Sequence, residues 1–105
     1  MVIDRAQALE RLAGNEALLD MLVNKFINDN LNAVSDLQAL LQSEQLEDAA
    51  KLVHSIKGAA GNLSMNELFA AAKDLEHSLR QNNLADEATL LQFNENMQAV
   101  LALKS

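Results

Sequence analysis

Between Glu16 and Gln42 the apolar residues fall at Leu19, Leu22, Val23, Phe26, Ile27, Val34, Leu37, Leu40 and Leu41. Steps of three and four place these on one stripe of a helix with about 3.6 residues per turn. The run Asn28-Asp29-Asn30-Leu31-Asn32 interrupts it with weak helix formers, which would bend the helix or divide it in two. The stripe continues in phase across the run, and that favours one long helix. Upstream, Asp4 and Gln7 have capping-box spacing and open a short helix from roughly Arg5 to Ala13, with Ile3, Leu9 and Leu12 as its apolar side. Gly14 ends that helix, and Asn15 stands where it can cap the next.

A third helix begins near Leu46, after a short connection at Ser43 to Gln45, with Val53, Ile56, Ala60 and Leu63 on its apolar face. Ser64 and Glu67 repeat the capping-box spacing, with Leu63 and Leu68 placed as a hydrophobic staple. That pattern stops the third helix near Leu63 and starts another at Met65, with Leu68, Ala72, Leu75 and Leu79 buried as far as Gln81. Asn82 and Asn83 supply a turn. A last helix runs from about Ala85 to Leu103, with Ala88, Leu91, Met97, Val100 and Leu101 expected in the core. Short connections make neighbouring helices antiparallel. The predicted fold is all-α: an up-down-up-down four-helix bundle, with the short first helix capping one end.

Composition supports this and narrows the function. The 105 residues suffice for one domain, spanning 1–105, with a core of its own. There is no proline and there are only three glycines, which leaves little turn chemistry for a β-protein. No cysteine is present, so thiol and disulfide chemistry are excluded. Fifteen acidic residues against eight basic ones give a net charge of −7, a poor match to nucleic acid, whose phosphates need clustered Lys and Arg. No apolar run approaches a membrane span and no signal-peptide pattern opens the chain, so we expect a soluble, cytoplasmic protein without direct membrane contact. Membership of a larger membrane-bound sensor kinase would leave no trace in this interior.

One helix face stands apart. His54, Lys57, Gly58 and Gly61 fall at i, i+3, i+4 and i+7, away from the apolar face. Two glycines in a helix interior cost about 1 kcal/mol each relative to alanine, so packing alone does not explain both. The combination implies that something comes close to the backbone beside an imidazole and an ammonium. A neutral imidazole, with an unperturbed pKa of about 6.5, keeps a nitrogen lone pair near pH 7 and can attack an acyl phosphate. Lys57 one turn after His54, and Lys51 one turn before, can reach the oxygens of a phosphoryl group on that ring. The blander readings are a solvated surface histidine, an exposed solubilising Lys57, and a Lys51 paired with Glu47. For Gly58 and Gly61 the blander reading is close helix packing.

This pattern resembles the histidine-containing phosphotransfer (HPt) domain of multistep bacterial phosphorelays. In that family lysine and glycine follow the histidine at three and four residues, with a small residue and a small polar one at the next turn. His54, Lys57, Gly58, Gly61 and Asn62 all match. The likeness covers essentially the whole chain in length, helix order and placement of the histidine, and is closest from Val53 to Glu76. It implies that Nε2 of His54 takes a phosphoryl group from a receiver-domain aspartate and passes it to another, with Lys57 stabilising the transferred charge. It implies that Glu76 accepts a hydrogen bond from Nδ1, and that Gly58, Gly61 and Asn62 meet the partner. That partner would be a response regulator or the receiver domain of a hybrid sensor kinase. It would supply its own aspartate and Mg²⁺, so that this chain needs no cofactor and acts as a monomeric phosphocarrier, not an independent enzyme.

Rival classes have less in their favour. Two histidines in no familiar ligand spacing are weak support for a metal site, and no P-loop or glycine-rich nucleotide loop is present. The dimerisation helix of sensor kinases places an acidic residue just after its histidine and a proline soon beyond. Here Ser55 follows, and proline is absent. His77 lacks the Lys-Gly companions and reads as a surface histidine, while Lys73 would add to the positive field or pair with Glu76. The remaining alternative is a helical protein-interaction module whose histidine is incidental.

Overall fold

The computed structural model describes residues 1–81 and 86–103. The described residues form six α-helices: α1 (Arg5–Arg11), α2 (Glu16–Asp29), α3 (Ala33–Gln42), α4 (Leu46–Asn62), α5 (Asn66–Arg80) and α6 (Glu87–Leu101). Asp4 caps α1 by accepting the Gln7 N–H at 3.0 Å, and Asn15 caps α2 through the Leu18 N–H at 3.0 Å. Asp86 does the same for α6 through Ala88, with the Thr89 hydroxyl donating to its other oxygen. The predicted turn at Asn82–Asn83 and the predicted helix start at Ala85 lie outside the described residues.

The expected long helix is two helices. The Asn30 side-chain amide donates to the Phe26 carbonyl at 2.8 Å, taking one of the last acceptors of α2, and Asn30 to Asn32 turn before α3 begins. A short polar side chain that competes for backbone partners is what stops a helix. The stripe misleads because the break preserves its phase: Phe26 and Ile27 on one side and Ala33 and Leu37 on the other are all buried.

Three helix ends share one device. Ala13, Glu44 and Ser64 each take a positive φ, between 55° and 58°, just beyond α1, α3 and α4. After α4, the Met65 N–H bonds the Ala60 carbonyl at 2.9 Å and the Ser64 N–H bonds the Gly61 carbonyl at 3.3 Å, which is a Schellman ending. The same pattern closes α3 through Gln45 to Leu40 and Glu44 to Leu41. Ser64 is therefore the left-handed residue after α4, not the N-cap of α5. Met65 occupies the cap position without a side-chain bond, and α5 starts at Asn66.

Burial follows the stripes, with one rotation. Val53, Ile56, Ala60 and Leu63 are buried together with Ala49 and Ala50, and Leu68, Ala72, Leu75 and Leu79 are buried on α5. On α6 the buried set is Phe93, Met97 and Val100, with Leu90 half-buried beside it; Ala88 and Leu91 face outward. The large Phe93 side chain sets the phase of that helix and overrides the smaller apolar residues. Helix α4 packs most extensively on α5 and also meets α3, while α5 meets α6. The N-terminal segment is tied to the α4–α5 turn by the Asp4 N–H to the Ser64 carbonyl and by the Arg11 guanidinium to the Gly61 carbonyl. No described helix is long and apolar enough to cross a membrane.

Candidate functional site

Helices α4 and α5 fold back on each other across the turn at Leu63–Met65. His54 lies ten residues before Ser64 and Glu76 twelve after it. At about 1.5 Å per residue both stand roughly 15–18 Å from the turn, so the two side chains are level. His54 Nδ1 lies 2.9 Å from Glu76 Oε2. Lys57, one turn along α4, brings Nζ to 2.7 Å from Glu76 Oε1. Arg80, one turn along α5, donates from Nε to Oε2 at 2.9 Å.

Exposure divides the cluster. The Glu76 side chain is 9% exposed, Lys57 25%, and His54 60%. A carboxylate at the floor thus supports a ring that stands in solvent. Burial pushes the Glu76 carboxyl up, but Lys57, Arg80 and His54 outweigh it and bring its pKa down to about 2. An ionised carboxylate only accepts hydrogen bonds, so the bond to Nδ1 requires the proton there. In the neutral ring the lone pair then belongs to Nε2, at the far edge of the imidazole. Two cations against one carboxylate leave the cluster net positive in an acidic protein. This arrangement offers a solvent-facing nucleophilic nitrogen in a locally positive field, and it can hold added negative charge.

The two glycines differ. Gly58 is exposed, and a Cβ built there meets nothing within 4 Å, so close packing does not account for it. A Cβ on Gly61 would come within 3.1 Å of the Phe69 ring, so Gly61 fits the packing reading. Asn62 is exposed at the last turn of α4 and borders an open groove of about 640 Å³ between α2 and α4, lined also by Leu22, Phe26, Leu52, Ser55 and Ala59. Lys51 stands 3.6 Å from Glu47 and outside the cluster. Lys73 forms no ion pair with Glu76; its expected place is taken by Arg80. His77 is exposed, with one ring nitrogen 3.2 Å from the Gln81 amide. Among the described residues no group of three or more His, Asp or Glu side chains gathers to hold a metal.

Sequence reasoning overlooked Arg80. The signal was available, since Arg80 follows Glu76 by four residues and would reach it on any helix face. Only the burial of Glu76 turns that ordinary surface spacing into part of the site.

A family model described as Hpt domain matches residues 21–103. No curated protein and no solved structure matches the chain. The matched span contains His54, Lys57, Glu76 and Arg80, and leaves α1 outside.

Proposed function

The chain belongs to the Hpt domain family, the histidine phosphotransfer modules of two-component phosphorelays, and from that premise we propose that His54 is its phosphoacceptor. One observation carries the reading: an exposed imidazole whose Nδ1 is held by a buried, ionised carboxylate, leaving Nε2 as the nucleophile. In the proposed step the Nε2 lone pair attacks the phosphorus of a receiver-domain phosphoaspartate. The N–P bond forms, the P–O bond to the aspartate breaks, and the aspartate departs as a carboxylate. The Nδ1 proton stays on the ring, so the product is a phosphoryl imidazolium whose positive charge faces Glu76. A protonated ring is a good leaving group, and transfer to a second receiver aspartate runs by the same path in reverse.

Lys57 stands one turn along α4 from His54, with Nζ on Glu76 Oε1, within reach of phosphoryl charge as it arrives. Gly58 keeps the approach to His54 low, and Asn62 with the neighbouring groove extends the surface available to a receiver. We assign Gly61 a lesser part there, because it packs against Phe69. The receiver brings the aspartate and the Mg²⁺, this chain brings the nucleophile and its field, and neither a cofactor nor an active site of its own is required. In this reading the protein is a cytoplasmic phosphocarrier, monomeric as an isolated domain. Its helices form an antiparallel up-down-up-down bundle in which α2 and α3 together supply one member and α1 closes an end. The level placement of His54 and Glu76 and the ties from α1 to the α4–α5 turn support that topology.

The test is incubation with a receiver domain phosphorylated on its aspartate, comparing wild type with His54→Gln. Wild type should take up acid-labile phosphate and the variant none, with unchanged helical content. Label retained by the variant at the wild-type level would sink His54 as the acceptor.

A further inference from the structure

Glu76 has more partners than the resting site needs. Its Oε2 accepts from both His54 Nδ1 and Arg80 Nε at 2.9 Å, while Oε1 faces Lys57 Nζ at 2.7 Å. Either cation would compensate the buried carboxylate at rest. The approach of a phosphoryl group changes this. Nδ1 and Nε2 lie on opposite edges of the imidazole, so an ammonium seated on the carboxylate at the Nδ1 edge must turn away to meet a group on Nε2. Until the N–P bond forms the attacking ring carries no charge, and a carboxylate nine-tenths buried is not left without a cation at small cost as Lys57 turns away. Arg80 is the cation that stays. Its guanidinium is permanently charged and half exposed, and it holds the same oxygen that His54 uses.

We propose that Arg80 is a positioning residue for phosphoryl uptake: by keeping Glu76 Oε2 against the His54 Nδ1–H, it frees Lys57 to leave Oε1 and meet the incoming phosphoryl group. This rests on His54 being the acceptor. The two cations divide the work. Lys57 moves between carboxylate and phosphoryl oxygens, whereas Arg80 remains in place throughout. Without Arg80, Lys57 is detained at the floor of the site and the arriving charge goes unmet.

The experiment uses phosphoramidate, a small phosphoryl donor that needs no partner protein, with ³¹P NMR following the N–P product and ¹⁵N NMR following the His54 ring. Arg80→Gln should accept phosphoryl about tenfold more slowly than wild type, and Arg80→Lys should recover most of the rate. At rest either cation suffices, so His54 should remain the Nδ1–H tautomer in Arg80→Gln and in Lys57→Gln, and become a tautomer mixture only in the double variant. Wild-type rates in Arg80→Gln, an Arg80→Lys protein as slow as Arg80→Gln, or a scrambled resting tautomer in Arg80→Gln alone would each overturn the proposal. A wild-type protein that takes phosphoryl from neither phosphoramidate nor a phosphorylated receiver removes the phosphocarrier reading itself, before any variant is compared.

Discussion

Two neighbouring turns of α4 carry a glycine each, and they serve opposite ends. Around Gly58 the helix faces solvent, with His54 and Lys57 arranged over Glu76 and open space above the backbone. Around Gly61 the helix is closed in: Phe69 covers the glycine, Arg11 holds its carbonyl, and Ser64 turns the chain toward α5. The lesson is that glycine spacing along one helix face does not imply one purpose. At the first turn the missing side chain leaves open space above the backbone. At the second it leaves room for a ring of the same protein.

The contrast can be broken first at the floor of the open turn. Glu76 titrates near 2 when folded against 4.5 otherwise, so its stabilisation is fully present above about pH 4.5 and vanishes as pH falls through about 2. That linkage is worth roughly 3 kcal/mol. Thermal unfolding between pH 6 and pH 2 should show a loss in wild type that Glu76→Gln lacks, the two curves converging in acid. Parallel curves would mean that the carboxylate contributes no such stabilisation.

Next comes the closed turn. Gly61→Leu must displace Phe69 and should lower stability by about 2 kcal/mol, whereas Gly58→Leu should leave the melting temperature near wild type. Transfer from a receiver should respond in the opposite sense, slowing by about tenfold or more in Gly58→Leu, because a misplaced partner loses near-attack geometry. Equal melting shifts for the two variants would erase the distinction. A smaller effect is expected at Ser64, which combines a positive φ of 55° with a fully buried hydroxyl that has no partner among the described residues. Ser64→Gly should raise stability by about 1 kcal/mol in chemical denaturation. Smallest of all, Gly58→Ala should add about 0.5–1 kcal/mol, since its Cβ meets nothing and alanine suits a helix better.

Much of this was readable from residue order, and the exceptions have physical causes. Periodicity placed the helix of His54 and the buried faces of α4 and α5, because aliphatic residues recur at helical spacing on those faces. It missed the break at Asn30–Asn32, where a local side-chain bond ends α2 without disturbing the stripe. Ser64 was misread because a small polar residue between helices suits either a start or a left-handed stop, and only its neighbours' hydrogen bonds decide. The mutual placement of His54, Lys57 and Glu76 was legible through a family likeness. Arg80 was not, since its importance arises from a desolvated partner and burial is not written in spacing.

The bonds from the first eleven residues to the end of α4 carry a practical consequence. Residues 1–20 precede the span that matches the family model, yet Asp4 and Arg11 ligate the carbonyls at which the histidine helix stops. A truncated chain beginning at Met21 would keep every side chain of the proposed phosphoryl site and lose the clasp on the hairpin that carries it. Domain boundaries drawn from family likeness alone would excise this protein short by all of α1 and the first turn of α2.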